Sequence, residues 1–349
     1  MKRTISLYFA TALLALVVTP TAILAQSLGD SKVVAPVPLP GYPEGIATRG
    51  NSFYVSGPAT FGSPLGSAYV YAYDLKTGAF EASYPITITN PFAGMSAASC
   101  AAFGPDGKLY VIEPFVGVIR MDLNPGNTQS LYATFPPPAV PGQSLPNDLA
   151  FDNAGNLYVT DSFAAAIYRI PAGGGAATVW FTDSRLAGDP NVPFGVNGIR
   201  MDENYDNVYV SVTAENGTLD GVIYRLPLAA PTALNLDEFY RYPFFPTFQL
   251  AGPDGIAFGR SGKLYVALAG TSQISVLLPD GTEEARYSGP ADNPGGTPDP
   301  MPWTNPANIA FDKHTGSLLV TNHASLVPFN PTLFCVFDVF VDDKAQPLP

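Results

Sequence analysis

Four oxygen-bearing side chains each stand directly before a short apolar run. They are Glu44 in PEGIA, Asn147 in PNDLAF, Asn197 in VNGIRM and Asp254 in PDGIAF. Two carboxylates and two amides supply only oxygen donors, which suits a hard cation, calcium first and magnesium second. Two carboxylates held together without a cation would repel each other, and one would take up a proton. If the fold brings these residues together, they predict a calcium site.

An ordinary turn is the alternative interpretation of each residue taken singly. Asn-Gly and Pro-Asp-Gly are common turn sequences, and Pro-Asp-Gly occurs three times, at 105–107, 253–255 and 279–281. Two of these copies lie where a hairpin must turn, whereas Asp254 precedes an apolar run. Glu44 is the strongest single candidate, because Pro-Glu-Gly is not a favoured turn. The register that the four residues share favours a metal site over four separate turns.

A sequence repeat supplies that register. The stretch GNLYVTDS at 155–162 recurs with variations, and its aligned anchor residues are Tyr54, Tyr110, Tyr158, Tyr209, Tyr265 and Leu319. Consecutive anchors are 56, 48, 51, 56 and 54 residues apart. One apolar run precedes each copy and another follows it, with Gly, Asp and Asn turns between them, as in short antiparallel strands. Six such repeats predict an all-β fold, a six-bladed β-propeller with four-stranded blades.

The innermost strand of each propeller blade lines the central channel, so equivalent residues at the starts of these strands meet at one end of it. The predicted ring consists of Glu44, Ser99, Asn147, Asn197, Asp254 and Ala307. The last repeat runs out soon after its third strand, and the N-terminal segment SKVVAPVPLP is placed to supply the missing outer strand and close the ring. We expect one domain at residues 36–349, after a short lead at 26–35.

The first 25 residues have the pattern of a secretory signal peptide, with a basic start, an apolar centre and small residues before Gln26. We therefore expect a secreted or periplasmic protein without a membrane partner after cleavage. A net charge of −12 disfavours nucleic acid as a partner. Export would allow a disulfide to persist. For Cys100 and Cys335, which fall in different repeats, two buried free thiols are nevertheless preferred to a bridge.

These motifs resemble those of the senescence-marker-protein/gluconolactonase family of six-bladed propellers, which is related to diisopropyl-fluorophosphatase and paraoxonase. The resemblance covers nearly the whole mature chain and rests on PEG at 43–45, PND at 146–148, NG at 197–198, PDG at 253–255 and the repeated G-x-LYV. It implies a channel cation, usually calcium, with Glu44, Asn197 and Asp254 as ligands. Asn147 would be a further ligand or would contact substrate. Asp254 would act as base or nucleophile in hydrolysis of a lactone, other cyclic ester or phosphotriester.

Two departures from the family pattern concern the substrate. Sugar-lactone members tend to carry an aromatic residue shortly after the Glu-Gly pair, where this chain reads EGIAT, and an arginine two residues before the Asn, where it has Leu145. We therefore expect a small-molecule substrate that is less polar than a sugar lactone. The predicted pocket residues are Ser99, Leu145, Phe92, Met95, Trp303 and His323. Phe92, Met95 and Trp303 have an alternative role, which is to cover the end of the propeller core.

The sequence thus predicts an exported calcium-dependent hydrolase of lactones or related esters. A secreted binding propeller that keeps a structural calcium and turns nothing over is the alternative, because a fold does not determine a function. A strictosidine-synthase-like condensing activity fits the oxygen donors less well.

Overall fold

The computed structural model describes residues 26–59, 67–89, 96–123, 126–138, 142–293 and 298–347. The predicted signal peptide at 1–25 and the pocket candidates Phe92 and Met95 lie outside the described residues. Within those ranges the regular secondary structure is β-strand, apart from short 3-10 helices at Ser184–Leu186, Ala233–Asn235 and Pro331–Leu333. No helix in this part of the chain is long and apolar enough to span a membrane.

Six of the sheets are the blades of a propeller, and their four main strands pair antiparallel. In blades 1 to 5 these strands follow one another in chain order from the inner to the outer strand. Blade 1 consists of β2 (Ile46–Arg49), β3 (Ser52–Gly57), β4 (Tyr69–Asp74) and β5 (Phe80–Pro85). Blade 2 consists of β6 (Ala101–Phe103), β7 (Leu109–Glu113), β8 (Gly117–Asp122) and β9 (Thr128–Thr134). Blade 3 consists of β10 (Pro146–Phe151), β11 (Leu157–Asp161), β12 (Ala166–Ile170) and β14 (Thr178–Thr182). Blade 2 is extended by β13 (Gly175–Ala176), which pairs with β9 in parallel.

Blade 4 consists of β15 (Val196–Met201), β16 (Asn207–Val212), β17 (Gly221–Pro227) and β18 (Asp237–Tyr242). Blade 5 consists of β19 (Pro253–Phe258), β20 (Leu264–Leu268), β21 (Gln273–Leu277) and β22 (Glu283–Ser288). Blade 6 contains β25 (Pro306–Asp312), β26 (Ser317–Asn322) and β27 (Cys335–Phe340). A two-stranded ribbon of β23 (Pro290–Ala291) and β24 (Met301–Pro302) links the last two blades. The predicted all-β six-bladed propeller with four-stranded blades is confirmed.

The N-terminal strand closes the ring. Strand β1 (Ser31–Pro36) pairs antiparallel with β27, placing Ser31 opposite Val339 and Pro36 opposite Cys335. The outer strand of blade 6 therefore comes from the beginning of the chain, as the sequence predicts. Cys335 and Cys100 are both buried and free.

The repeated tyrosines pack one blade against the next. Four of the anchor tyrosines meet the phenylalanine near the end of the following blade's inner strand edge-on. The pairs are Tyr54–Phe103, Tyr110–Phe151, Tyr209–Phe258 and Tyr265–Phe311, with ring centroids 5.1, 4.9, 4.9 and 5.4 Å apart. Edge-to-face pairs of this kind add to the stabilisation from buried area alone. The repeat therefore encodes the contact between blades as well as the strand itself.

A second contact between blades comes from hydroxyl groups that follow the repeated Tyr-Val. In four blades this residue is Ser or Thr, and its Oγ donates to a backbone carbonyl at the start of the next blade's inner strand. The donor–acceptor pairs are Ser56–Ser99, Thr160–Asn197, Ser211–Asp254 and Thr321–Glu44. The last bond, 2.9 Å long, joins blade 6 to blade 1 across the closure of the ring. We call these four bonds the inter-blade hydroxyl bonds.

Replacing Thr321 by valine tests the contribution of the bond at the closure. The change keeps the side-chain shape but leaves the buried Glu44 carbonyl without its donor, which should lower the free energy of unfolding by about 1–3 kcal/mol. Thr178→Val is the control, because Thr178 is exposed and donates at 3.3 Å within its own blade; it should cost at most about 0.5 kcal/mol. Equal shifts of the denaturant midpoint in both variants would contradict this role for Thr321.

Candidate metal centre

The four predicted donors occupy equivalent places on inner strands. Asn147, Asn197 and Asp254 are each the second residue of their strand, in β10, β15 and β19, and Glu44 lies two residues before β2. Glu44 and Asp254 are close enough for the charge of one to raise the pKa of the other. The Asn197 side chain hydrogen-bonds Asp254, which partly opposes that effect. The structure thus brings these residues to one end of the channel, and we call them the donor ring.

Both asparagines of the donor ring have their amide orientation fixed by the blade that carries them. Asn147 Nδ2 donates to Ser162 Oγ at 3.2 Å, and Asn197 Nδ2 donates to Thr213 Oγ1 at 3.1 Å. Those hydroxyls in turn donate to backbone carbonyls of the next blade. Each amide therefore has its NH2 group engaged by the scaffold and its oxygen turned away from it.

The two amide oxygens are buried and lack partners. Neither Asn147 Oδ1 nor Asn197 Oδ1 has a hydrogen-bond donor in the described structure, although both residues are only 4% exposed. A buried unsatisfied acceptor costs about 1–3 kcal/mol, and native proteins rarely leave one without a purpose. Two such oxygens beside two carboxylates fit the coordination of a hard cation. The residues present therefore fit the calcium that the sequence predicts.

The carboxylates of Glu44 and Asp254 also indicate a cation site. Burial, and secondly the charge of Asp148, raise the pKa of Glu44 to about 8. Burial also raises the pKa of Asp254 well above its usual range, with further contributions from Glu44 and Asp148. Like charges held in a dry place favour protonation unless a cation compensates them. The arrangement is thus unfavourable for two ionised carboxylates alone and favourable with a bound divalent cation.

Asp254 differs from the other three donors in its exposure. Glu44, Asn147 and Asn197 are buried, whereas Asp254 is partly exposed. Its backbone carbonyl is held by Ser211 Oγ at 2.6 Å. Of the donor ring, Asp254 is therefore the side chain that a molecule entering the channel can reach most directly.

The glycines that follow Glu44, Asn197 and Asp254 exclude the turn interpretation for these three donors. A Cβ on Gly198 would lie 2.4 Å from the Asp254 carbonyl oxygen, and one on Gly255 would lie 2.5 Å from Asn308 Oδ1. Gly45 has similarly close neighbours in Ser56 and Cys100. By contrast, Gly107 and Gly281 of the other two Pro-Asp-Gly copies have positive φ and do form turns. After the donors, glycine is required because the next blade's inner strand comes very close.

No cluster of three or more His, Cys, Asp or Glu residues that could hold a metal occurs in the described ranges. The donor ring falls outside that class because half of its donors are amides. Its chemistry is therefore that of an all-oxygen site rather than of a zinc site, which uses nitrogen and sulfur ligands.

The sequence of the chain matches the SMP-30/Gluconolactonase/LRE-like region over residues 62–296. The protein belongs to this family. Diisopropyl-fluorophosphatase from Loligo vulgaris is 24% identical over 295 residues, which cover 82% of this chain and 86% of the relative. Both comparisons place the chain in a family that includes hydrolases.

Solved structures support the same architecture. The calcium-binding protein regucalcin from Agrobacterium tumefaciens superposes with a TM-score of 0.65 at 18% identity, covering 91% of this chain and 96% of the other. A gluconolactonase from Xanthomonas campestris superposes with a TM-score of 0.55 at 18% identity, covering 94% and 93%. At this level of identity the likeness establishes the fold.

In this SMP-30/gluconolactonase family member, His323 lies beside the donor ring. Its Nε2 is 3.6 Å from Glu44 Oε2, and its ring meets Tyr42 edge-on at a centroid distance of 5.7 Å. Burial lowers the pKa of His323 to about 4, so the imidazole is neutral near pH 7. His323 is thus placed to contact Glu44 or a bound molecule without adding charge to the site.

Leu145 lies next to Asn147 and lines a surface cavity of about 450 Å³. Its backbone nitrogen donates to Asp161 Oδ1 at 2.7 Å, which fixes the approach of the chain to Asn147. The other lining residues are mostly apolar: Pro114, Phe115, Val116, Phe135, Pro136, Pro137, Pro138, Gly142, Ser144 and Phe163. These segments lie at the blade ends that carry the donor ring. We call this cavity the apolar pocket.

Two predicted pocket residues have other surroundings. The Ser99 hydroxyl is buried and donates to the Pro146 carbonyl at 3.1 Å, joining blades 2 and 3. Trp303 is buried, stacks on Phe337 and donates from Nε1 to Ser31 Oγ at 3.3 Å. Its contacts are with the core of blade 6 and with β1, so the structure does not place it in the channel.

Three polar residues below the donor ring were missed by the sequence analysis. Asp148 directly follows Asn147, and Asn308 directly follows Ala307, which is the equivalent position in blade 6. Arg200 lies three positions beyond Asn197. Arg200 Nη1 donates to Asp148 Oδ2 at 2.7 Å, and Nη2 lies 3.4 Å from Asn308 Oδ1. We call these three residues the lower tier. The signal for them was Arg200 itself, which stands where the five other inner strands have alanine.

The metal-free protein should lose stability as the pH rises from about 5 to about 8. In that window the folded state binds more protons than the unfolded chain, because folding raises the pKa of Glu44 from 4.5 to about 8. A bound calcium replaces those protons, so the loaded protein should lack this loss. Melting temperatures at several pH values, with chelator and with millimolar calcium, check the expectation. Glu44→Gln should reduce the slope in chelator, and the raised pKa of Asp254 accounts for the part that remains. Identical slopes with chelator and with calcium would contradict the expectation.

Proposed function

We propose that this protein is an exported, calcium-dependent hydrolase of a lactone or related ester. The observation that carries the proposal is the pair of buried, unpartnered amide oxygens of Asn147 and Asn197 beside the carboxylates of Glu44 and Asp254. The named hydrolases among the relatives support the reaction class. Regucalcin, whose description is that of a calcium-binding protein, supports the choice of calcium over magnesium.

The donor ring would hold the cation through Glu44, Asn147, Asn197 and Asp254. When bound, the cation supplies a Lewis acid that polarises the carbonyl of an ester and stabilises negative charge on its oxygen. Glu44 is buried and would serve only as a ligand. The scaffold bonds to Ser162 and Thr213 keep the amide oxygens of the two asparagines aimed into the channel before any ligand enters.

Asp254 would carry out the step on the substrate, because it is the one partly exposed residue of the donor ring. Its carboxylate would either take a proton from a water that attacks the carbonyl carbon, or attack that carbon itself to form an anhydride that water then hydrolyses. In both routes the acyl C–O bond of the ester breaks and the departing alcohol oxygen takes up a proton. Ser211 holds the Asp254 backbone in place during either step. Both routes need Asp254 ionised, a state that the cation favours.

The apolar pocket supports a substrate less polar than a sugar lactone. Its phenylalanine and proline walls adjoin Asn147 through Leu145, and they offer few hydrogen-bond partners to hydroxyl groups. We propose that the pocket receives a hydrocarbon or aryl substituent of the substrate while the ester lies over the donor ring. Phe163 takes part in this wall and packs against Phe194 at a centroid distance of 5.5 Å.

Asp254→Asn is the decisive variant for the mechanism. It keeps an oxygen ligand but removes the base and the charge, so turnover of lactones should fall by about 10²–10⁴-fold. Asp280→Asn is the matched control, because Asp280 occupies the same tripeptide in an exposed turn; it should leave the rate unchanged. The assay is hydrolysis of a panel of aliphatic and aromatic lactones and aryl esters by the mature protein.

Chelation separates the hydrolase from the alternative. Turnover should disappear when calcium is removed and return when it is restored. Bound calcium without turnover on any ester of the panel would favour a non-catalytic binding propeller. Full turnover by Asp254→Asn at full calcium occupancy would show that Asp254 is neither base nor nucleophile.

Phe163→Ala tests the apolar pocket. Loss of this wall should raise KM about tenfold for lactones with a long alkyl substituent and change KM little for unsubstituted ones, because each methylene contact in an apolar pocket contributes on the order of 1 kcal/mol. Val179→Ala, at an exposed position on the outer strand of the same blade, is the control. An equal change for both kinds of lactone would contradict the proposed placement of the substituent.

A further inference from the structure

The lower tier lies in a part of the channel where side chains are otherwise small. At the position of Arg200, the six inner strands carry in turn Ala47, Ala102, Ala150, Arg200, Ala257 and Ala310. All six line a cavity of about 170 Å³ whose other walls are mostly apolar, at the channel end opposite the donor ring. The five alanines leave the space that one long side chain occupies. Arg200 therefore lies between the donor ring and this cavity.

The guanidinium of Arg200 is surrounded by oxygen atoms. Its Nη1 donates to Asp148 Oδ2 at 2.7 Å and to the Ile199 carbonyl at 2.5 Å, and Nη2 lies 3.4 Å from Asn308 Oδ1. Asp148 is only 2% exposed, and its carboxylate also accepts from the Leu149 and Ile199 amides. A carboxylate, an amide oxygen and a peptide carbonyl are the donor types that bind hard cations. The guanidinium thus occupies a place with the chemistry of a cation site.

The charges in the channel fit this arrangement. Glu44, Asp254 and Asp148 are three carboxylates, and Arg200 is their one permanently charged cation. Three carboxylates against one guanidinium leave two negative charges, which one divalent cation neutralises. Buried charges are tolerated only when they are compensated in this way.

We propose that Arg200 is a positioning residue that serves as the fixed cation of the lower tier and restricts the channel to one divalent cation. In its ion pair with Asp148, the guanidinium neutralises the negative charge of the Asp148 carboxylate, so no calcium is needed there. Removing the guanidinium would leave Asp148, Asn308 and the Ile199 carbonyl converging on an open space that adjoins the cavity, and a second calcium would bind there. The part concerning the donor ring rests on the proposed function, whereas the part concerning the lower tier does not.

Counting bound calcium tests the proposal directly. Equilibrium dialysis of the mature protein with radioactive calcium should give one ion per chain for the unaltered protein and for Arg200→Lys. It should give two for Arg200→Ala and one again for Arg200→Ala combined with Asp148→Asn. Circular dichroism confirms that each variant is folded during the measurement. A folded Arg200→Ala that still binds one calcium would overturn the proposal.

Melting temperature supplies a readout that is independent of turnover. Calcium should raise the melting temperature of Arg200→Ala more than that of the unaltered protein, because a second ion stabilises the folded state by mass action. If Arg200→Ala folds only in calcium and then binds two ions, the second ion has replaced the guanidinium and the proposal stands. If it folds only in calcium but binds one ion, the donor ring alone accounts for the stabilisation and the proposal fails. If it remains unfolded in millimolar calcium while Arg200→Leu with Asp148→Asn folds, Arg200 has only a structural role.

The outcomes also distinguish this proposal from the proposed function. One calcium in both the unaltered protein and Arg200→Ala would contradict the role of Arg200 alone. None in the unaltered protein and one in Arg200→Ala would contradict the donor ring as a calcium site and support the lower tier. None in either would contradict both.

Discussion

The geometry of the site depends on a hydrogen bond that connects neighbouring blades. In each inter-blade hydroxyl bond, a Ser or Thr of one blade donates to the backbone at the start of the next inner strand. Three of the four accepting carbonyls belong to donor-ring residues: Glu44, Asn197 and Asp254. Each of these residues is therefore fixed by its own strand and by the preceding blade. The same bonds that hold the propeller together determine the spacing of the donors.

This rigidity makes an unfavourable electrostatic arrangement possible. Two carboxylates and two unpartnered amide oxygens would separate in a flexible loop, where water could satisfy each of them. Inside the propeller they cannot move apart, because Gly198 and Gly255 allow the inner strands to approach to van der Waals contact. The Tyr–Phe contacts and the strand pairing stabilise the fold, and this offsets the free energy lost by holding two carboxylates and two unpartnered amide oxygens together. Functional sites commonly hold such local conflicts within an otherwise consistent structure.

Much of the fold and part of the site could be predicted from the sequence. The repeat of Leu-Tyr-Val gave the blade number, and the register of Glu44, Asn147, Asn197 and Asp254 placed four side chains from different blades in one ring. The register could not show which amide oxygens lack partners, since that depends on Ser162 and Thr213 in neighbouring strands. Prediction of Trp303 as a pocket residue followed from its place in a loop, yet its indole packs into the core beside β1. A loop position does not determine which way a large apolar side chain turns.

The lower tier was harder to predict for a different reason. Asp148 directly follows a predicted ligand and looked like part of a turn sequence, and a single arginine on an inner strand has no motif. Its meaning appears only when the six strands are compared at one level of the channel, where five alanines surround Arg200. Comparison across repeats at every register, and not only at the register of the motif, would have found it.

The pairing of β1 with β27 has a consequence for the order of folding. The two strands join the first and the last segments of the propeller, so this contact carries the largest loop-closure entropy in the molecule. The four main strands of each of blades 1 to 5 are consecutive, whereas blade 6 is complete only when the two distant ends have met. The bond from Thr321 of blade 6 to the Glu44 carbonyl of blade 1 can form only when these two blades meet. A chain arrested before closure would contain every residue of the donor ring without the ring itself.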